Sequence, residues 1–118
     1  MLLARPSDDE RYINAVAKVC KASEAALDGT PRDYFASVAM ISNIKRRGLA
    51  PIEPPPERAG FHGTLRRSED QLAREAAATP PLAPPPTPEK LNAFHAMRES
   101  QARLDASYRT IGIKGCSD

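Results

Sequence analysis

Two histidines, two cysteines and three clusters of charge are the groups in this chain of 118 residues with a chemistry to consider. His62 stands between Phe61 and Gly63, a loop setting in which an imidazole can meet a phosphate or a base. Acid–base catalysis needs a second group within hydrogen-bond reach, and no such partner is spaced for it. His62 therefore reads as a surface or partner contact, and His95 as a residue flanking the seam of the last helix. Asp8-Asp9-Glu10 resembles a carboxylate site but follows Ser7, and helix capping with a favourable dipole explains it without catalysis.

No HxxxH, HExxH or Cys/His cluster is present, and the glycines are too scattered for a phosphate loop. The sequence accordingly assigns no catalytic residue, no cofactor, no metal and no small-molecule substrate, and the expectation is a protein that is not an enzyme. Cys20 and Cys116 lie near opposite ends, without metal-ligand spacing. Cys20 falls in a helical pattern as a small core residue, and Cys116, third from the end, is expected to be exposed. Reduced thiols in a cytoplasmic setting follow as the default.

The basic clusters carry more weight. Lys45, Arg46, Arg47, Arg58, Arg66 and Arg67 give residues 45–67 six cations against two acids, Glu53 and Glu57. The whole chain is only +2, so the remainder is net −2 and the positive charge is concentrated in this stretch. These six are candidate phosphate contacts, for nucleic acid or an acidic partner. The competing reading is a helix C-terminus followed by solvated residues. Sequence-specific readout is not expected: the two helices ahead of the stretch are too long for a helix-turn-helix reader.

The elements that position these groups are mostly helical. Ser7 to Glu10 fits a capping box, and Ile13, Val16, Ala17, Cys20 and Leu27 follow near a 3.6-residue period, with Glu24 interrupting. Gly29 supplies a stop, and Thr30-Pro31 restarts a helix with Tyr34, Phe35, Val38, Met40, Ile41 and Ile44 on its apolar side. An antiparallel helical hairpin over about residues 7–47, within a unit spanning 1–48, is the firmest expectation.

Residues 49–67 read as an extended, basic, Pro-rich arm, because proline lacks a donor and drives its predecessor out of the helical region. Ser68-Glu69-Asp70-Gln71 then opens a short Ala-rich helix over 68–79. Residues 80–87 form a second Pro-rich linker, whose Pro81-Leu82-Ala83-Pro84 satisfies PxxP but reads better as a spacer. Thr87-Pro88 caps a terminal helix over 88–109, with a seam of Leu91, Phe94, Met97, Gln101, Leu104 and Tyr108. The tail, 110–118, alternates through Ile111 and Ile113 like an edge strand.

Composition sets the class. Leu, Ile, Val and Phe total 21 of 118 residues, beside 19 alanines and 12 prolines. That aliphatic share lies below the roughly 20% at which chains struggle to build a core. No apolar run suffices to span a membrane, and Met1 to Ala4 is followed by Arg5, Pro6 and acid, so no signal peptide is expected. The expected fold is all-α and non-globular: hairpin, Pro-rich extended arms, short middle helix and C-terminal docking helix. The expected function is that of a structural accessory subunit tying together a larger protein assembly, such as a bacteriophage virion at its capsid or head–tail junction, or forming a homo-oligomer. Its partner contacts would be Phe61, Leu91, Phe94, Met97, Leu104, Tyr108, Ile111 and Ile113. The alternatives are a protein that binds nucleic acid non-specifically through residues 45–67, and a phage-encoded inhibitor or adaptor of one host protein.

Overall fold

Ser7 caps the first helix as expected: its Oγ accepts a hydrogen bond from the Glu10 amide at 3.1 Å, with Asp8, Asp9 and Glu10 in the first turn. In the computed structural model, which describes residues 7–26, 34–79, 87–114 and 116, four helices follow. They are α1 (Asp8–Ala25), α2 (Tyr34–Leu49), α3 (Ala59–Ala78) and α4 (Pro88–Arg109), with a 3-10 turn at Pro56–Arg58. No strand occurs among the described residues. The stop at Gly29, the cap at Thr30-Pro31 and the linker at 80–86 fall outside them.

The buried stripe of α1 is Tyr12, Val16, Cys20 and Ser23, with Ile13 and Val19 packed at its edge. Glu24 is no interruption, because the stripe passes through Ser23, whose hydroxyl donates to the Cys20 carbonyl at 2.7 Å. The α2 helix buries Phe35, Val38, Ser42, Lys45 and Leu49, and packs against α1 as the hairpin reading requires. It continues through Gly48 instead of stopping there. A Cβ at Gly48 would lie 2.9 Å from Val19 Cγ1, so this glycine lets two helices approach closely.

The largest departure concerns residues 59–67. The extended arm is confined to about Ile52–Pro55, and Pro56 opens the 3-10 turn that leads into α3. Proline suits a first turn, and no further proline occurs until Pro80, so nothing stops the helix from starting at Ala59. Gly60 and Gly63 weaken its first turns, but burial of His62 and Leu65 offsets them. Ser68 is thus an interior residue of a helix of 20 residues, not the cap of a short one.

Thr87 caps α4 by accepting from the Lys90 amide at 3.2 Å, with Pro88 in the first turn. At its far end the Ile113 amide donates to the Tyr108 carbonyl and the Gly112 amide to that of Arg109, with Gly112 at φ +83°. This reversal is the Schellman arrangement, and it folds Ile111 into the core instead of extending a strand.

All four helices close on one core: Tyr12, Val16, Leu49, Leu65, Leu72, Met97, Leu104 and Tyr108 are each at most 2% exposed. The helix α3 lies in the middle, against α2 on one side and α4 on the other. Each fully buried leucine contributes about 1.5–3 kcal/mol. The expectation of a non-globular chain is therefore replaced by a shared core. Two features make up for scarce aliphatic residues: Ala73 and Ala76 bury small side chains in the middle helix, and the buried Lys45, Glu69, His62 and Tyr108 bond to partners on neighbouring elements.

Candidate anion-binding face

The α2–α3 seam brings charge together on two levels. Contacts pair Lys45 with Glu69 and, one turn on along α2 and two turns back along α3, the Leu49 carbonyl with His62, so the helices run antiparallel. On the inner level Lys45 Nζ lies 3.0 Å from Glu69 Oε2, with side chains 1% and 0% exposed. Lys45 also donates to the Cys116 carbonyl at 2.6 Å and stands over the Tyr108 ring, while Tyr108 Oη donates to Glu69 Oε2 at 2.5 Å. Burial pushes the Glu69 carboxyl up, with Lys45 and Tyr108 pulling against it, and burial beside Glu69 pushes the Tyr108 phenol well up.

A second buried set joins α1 to α3. Tyr12 Oη lies 2.9 Å from His62 Nδ1, and His62 Nε2 lies 3.0 Å from the Leu49 carbonyl. A carbonyl only accepts, so Nε2 carries the proton and Nδ1 accepts from Tyr12. Burial holds the His62 pKa down and pushes the Tyr12 phenol up to about 12. His62 is therefore an interior residue occupied by two internal partners, not the loop contact its neighbours suggested.

Directly above the inner pair, Arg46 Nε lies 3.7 Å from Asp70 Oδ1, and Arg74 also contacts Asp70. Arg46, Gly63, Arg66, Arg67 and Asp70 line an open groove of about 380 Å³. A neighbouring groove lined by Arg67, Asp70, Gln71, Arg74 and Glu75 continues it. Positions 63, 66, 67, 70 and 74 share one face of α3 by helical spacing. The lone carboxylate of the first groove is already shared by two guanidinium groups, those of Arg46 and Arg74. Arg66 and Arg67 are exposed and form no ion pair among the described residues. A site of this kind attracts phosphate or carboxylate oxygens, which the planar guanidinium meets two at a time.

The six basic candidates thus separate. Arg46, Arg66 and Arg67 converge on the groove, and Arg47 is exposed on α2. Lys45 is sealed inside and cannot meet an external phosphate. Arg58 holds Asp9 by two hydrogen bonds, 2.7 and 3.1 Å, and lies over the Phe61 ring, so it ties α1 to the start of α3. Asp9 is held below the usual carboxylate range by that hydrogen bond.

The expected partner contacts also sort by burial. Met97, Leu104, Tyr108 and Ile111 are buried in this chain's own core, because the α4 seam docks on α3 and not on an outside helix. Phe61, Phe94 and Ile113 are half-buried against that core, Phe94 meeting the Phe35 ring edge at 6.0 Å. Leu91 alone of the eight is exposed, at 37%.

The cysteines are the feature that sequence reasoning missed. Cys20 and Cys116 form a disulfide across a separation of 96 residues, with Cα atoms 5.3 Å apart. Cys116 is 3% exposed, contrary to its expected exposure, and it is not a free thiol. Spacing carried no signal, since only closure of the fold brings the tail to α1. No helix among the described residues is long and apolar enough to cross a membrane. No known protein family, curated protein or solved structure matches the chain.

Proposed function

We propose that this chain is a non-catalytic binding domain that grips a polyanion, read by backbone charge and not by sequence, through the arginine face between α2 and α3. The observation that supports it is the convergence of Arg46, Arg66 and Arg67 on one open groove whose single acid is already occupied. The accessory role expected from the sequence counted on an outward α4 seam, whereas Met97, Leu104 and Tyr108 of that seam are buried within this chain, which favours the arginine face as the binding surface.

Titration against duplex DNA and against inorganic polyphosphate, over a range of salt, tests the reading. Three phosphate contacts give a log–log salt slope of about −3, and replacing Arg66 and Arg67 by alanine lowers its magnitude by about two. Binding without salt dependence, or a double variant that binds like the parent, would overturn the reading.

A further inference from the structure

Cys116 meets the buried charged layer beside the arginine face. Lys45 has two acceptors, Glu69 Oε2 at 3.0 Å and the Cys116 carbonyl at 2.6 Å. The second is present because Cys116 is bonded to Cys20 of α1 after the chain has reversed at Gly112. Of the described residues beyond Ile113, Lys114 and Cys116 lie in neither helix nor strand, and Lys114 is exposed. The covalent bond is thus the fastening that keeps a carbonyl on Lys45 and closes the end of the core over the Lys45–Glu69 pair. Arg46 and Asp70 are the next residues on the same two helices.

We infer that the Cys20–Cys116 bond is an oxidation-dependent latch: its formation seals Lys45 against Glu69 and sets the arginine face, so the chain reaches its working form in an oxidising compartment. Its binding arm, though not its structural one, rests on the polyanion reading of that face. Formation needs a small-molecule disulfide such as oxidised glutathione. The Cys20 thiolate attacks one of its sulfurs and releases one glutathione thiolate. The Cys116 thiolate then attacks the mixed disulfide at the Cys20 sulfur, forming the protein S–S bond and releasing the second glutathione. Two electrons pass to the reagent, and the two protons lost by the protein thiols end on the released glutathiones. With Cys20 at 5% and Cys116 at 3% exposure, the bond once made is shielded from exchange.

Acylation of lysines on the full chain, read by peptide mass spectrometry, tests this with the oxidised protein, the dithiothreitol-reduced protein and a Cys116→Ser variant. In the oxidised form no thiol should alkylate, and Lys45 should be protected while the exposed Lys21 and Lys114 react. Reduction or Cys116→Ser should raise the Lys45 rate by about tenfold through local opening, leave Lys21 unchanged and keep the helical circular dichroism. Polyphosphate affinity should fall several-fold in parallel. Lys45 remaining protected in the thiol form would overturn the latch. So would loss of all helix on reduction, since the bond would then hold the whole fold and not this seam. If Lys45 is unmasked but the oxidised chain ignores polyphosphate, the latch stands and the polyanion reading fails.

Discussion

Lys45 and Glu69 form an ion pair at 3.0 Å with essentially no solvent exposure, while their chain neighbours Arg46 and Asp70 pair at 3.7 Å on the outer surface of the same two helices. One rung of charge therefore faces the core and the next faces water. The inner rung is costly to desolvate, and its attraction and hydrogen bonds work against that cost. Lys45 keeps Glu69 and the Cys116 carbonyl, and Glu69 Oε2 keeps Tyr108 as well, while Glu69 Oε1 has no hydrogen-bond partner.

Removing one partner of this pair is predicted to be severe. Lys45→Met should cost about 3–5 kcal/mol, because it strands a buried carboxylate, and Lys45→Met with Glu69→Leu should recover most of the loss. Urea denaturation of the single and double variants measures the difference. Equal stability of the two would show that the charges are not coupled.

Burial of Tyr12 and His62 is predicted to give a stability window in pH. The folded His62 pKa is held below its ordinary 6.5, so its contribution is present above 6.5 and is lost as pH falls towards the folded value. The folded Tyr12 pKa is raised from 10.0 to about 12, so its contribution is present below 10.0 and is lost as pH climbs to about 12. His62→Gln should flatten the acid side of a melting-temperature profile. An unchanged slope below pH 6.5 would remove His62 as its source.

Two glycines should respond in opposite directions. Gly48→Ala drives a Cβ to 2.9 Å from Val19 Cγ1, and overpacking of about 1–3 kcal/mol should exceed the roughly 1 kcal/mol gain in helix propensity. Gly60→Ala meets nothing within 4 Å and should stabilise α3 by about 0.5–1 kcal/mol. Thermal melts of both variants, with Val19→Ala added to rescue Gly48→Ala, check the assignment.

Arg58 provides a control on charge alone. It is held by Asp9, so Arg58→Gln should leave polyanion affinity near that of the parent while lowering stability. Arg66→Ala should do the reverse. If both lower affinity equally, net charge and not the groove governs binding.

The disulfide should also raise global stability while leaving a folded chain in its absence. Closing a loop of this length, with its cysteines 96 residues apart, restricts the unfolded chain by up to about 4.7 kcal/mol in the chain-entropy model. Denaturation midpoints of the oxidised protein and Cys20→Ser measure it, and a midpoint shift near zero would contradict it.

Local signals were legible in the sequence because local chemistry enforces them. Ser7 and Thr87-Pro88 satisfy or remove the orphan amides of a first turn wherever they stand, and both open helices as read. All-α character and the packing of α1 on α2 followed from such signals and from 3.6-residue periodicity. Where two local readings competed, the sequence could not choose. Ser68 looks like a cap, yet α3 had already begun at Ala59, because burying His62 and Leu65 outweighs two weak glycines.

The long-range features belong to the tertiary structure. Lys45, Arg46 and Arg47 are consecutive cations of one chemical type, yet the turn of the helix sends Lys45 into the core and leaves Arg47 in water. Arg58 and Arg66 read alike, yet Arg58 is bound by Asp9 while Arg66 lines an open groove. Cys20 and Cys116 carried no spacing signal, because 96 residues separate sulfurs that only the closed fold makes neighbours. Helix starts depend on groups within one turn, so sequence alone could specify them. Burial of a charge, exposure of an arginine face and pairing of distant thiols depend on what the rest of the chain places opposite, and that was decided only when four helices closed on one core.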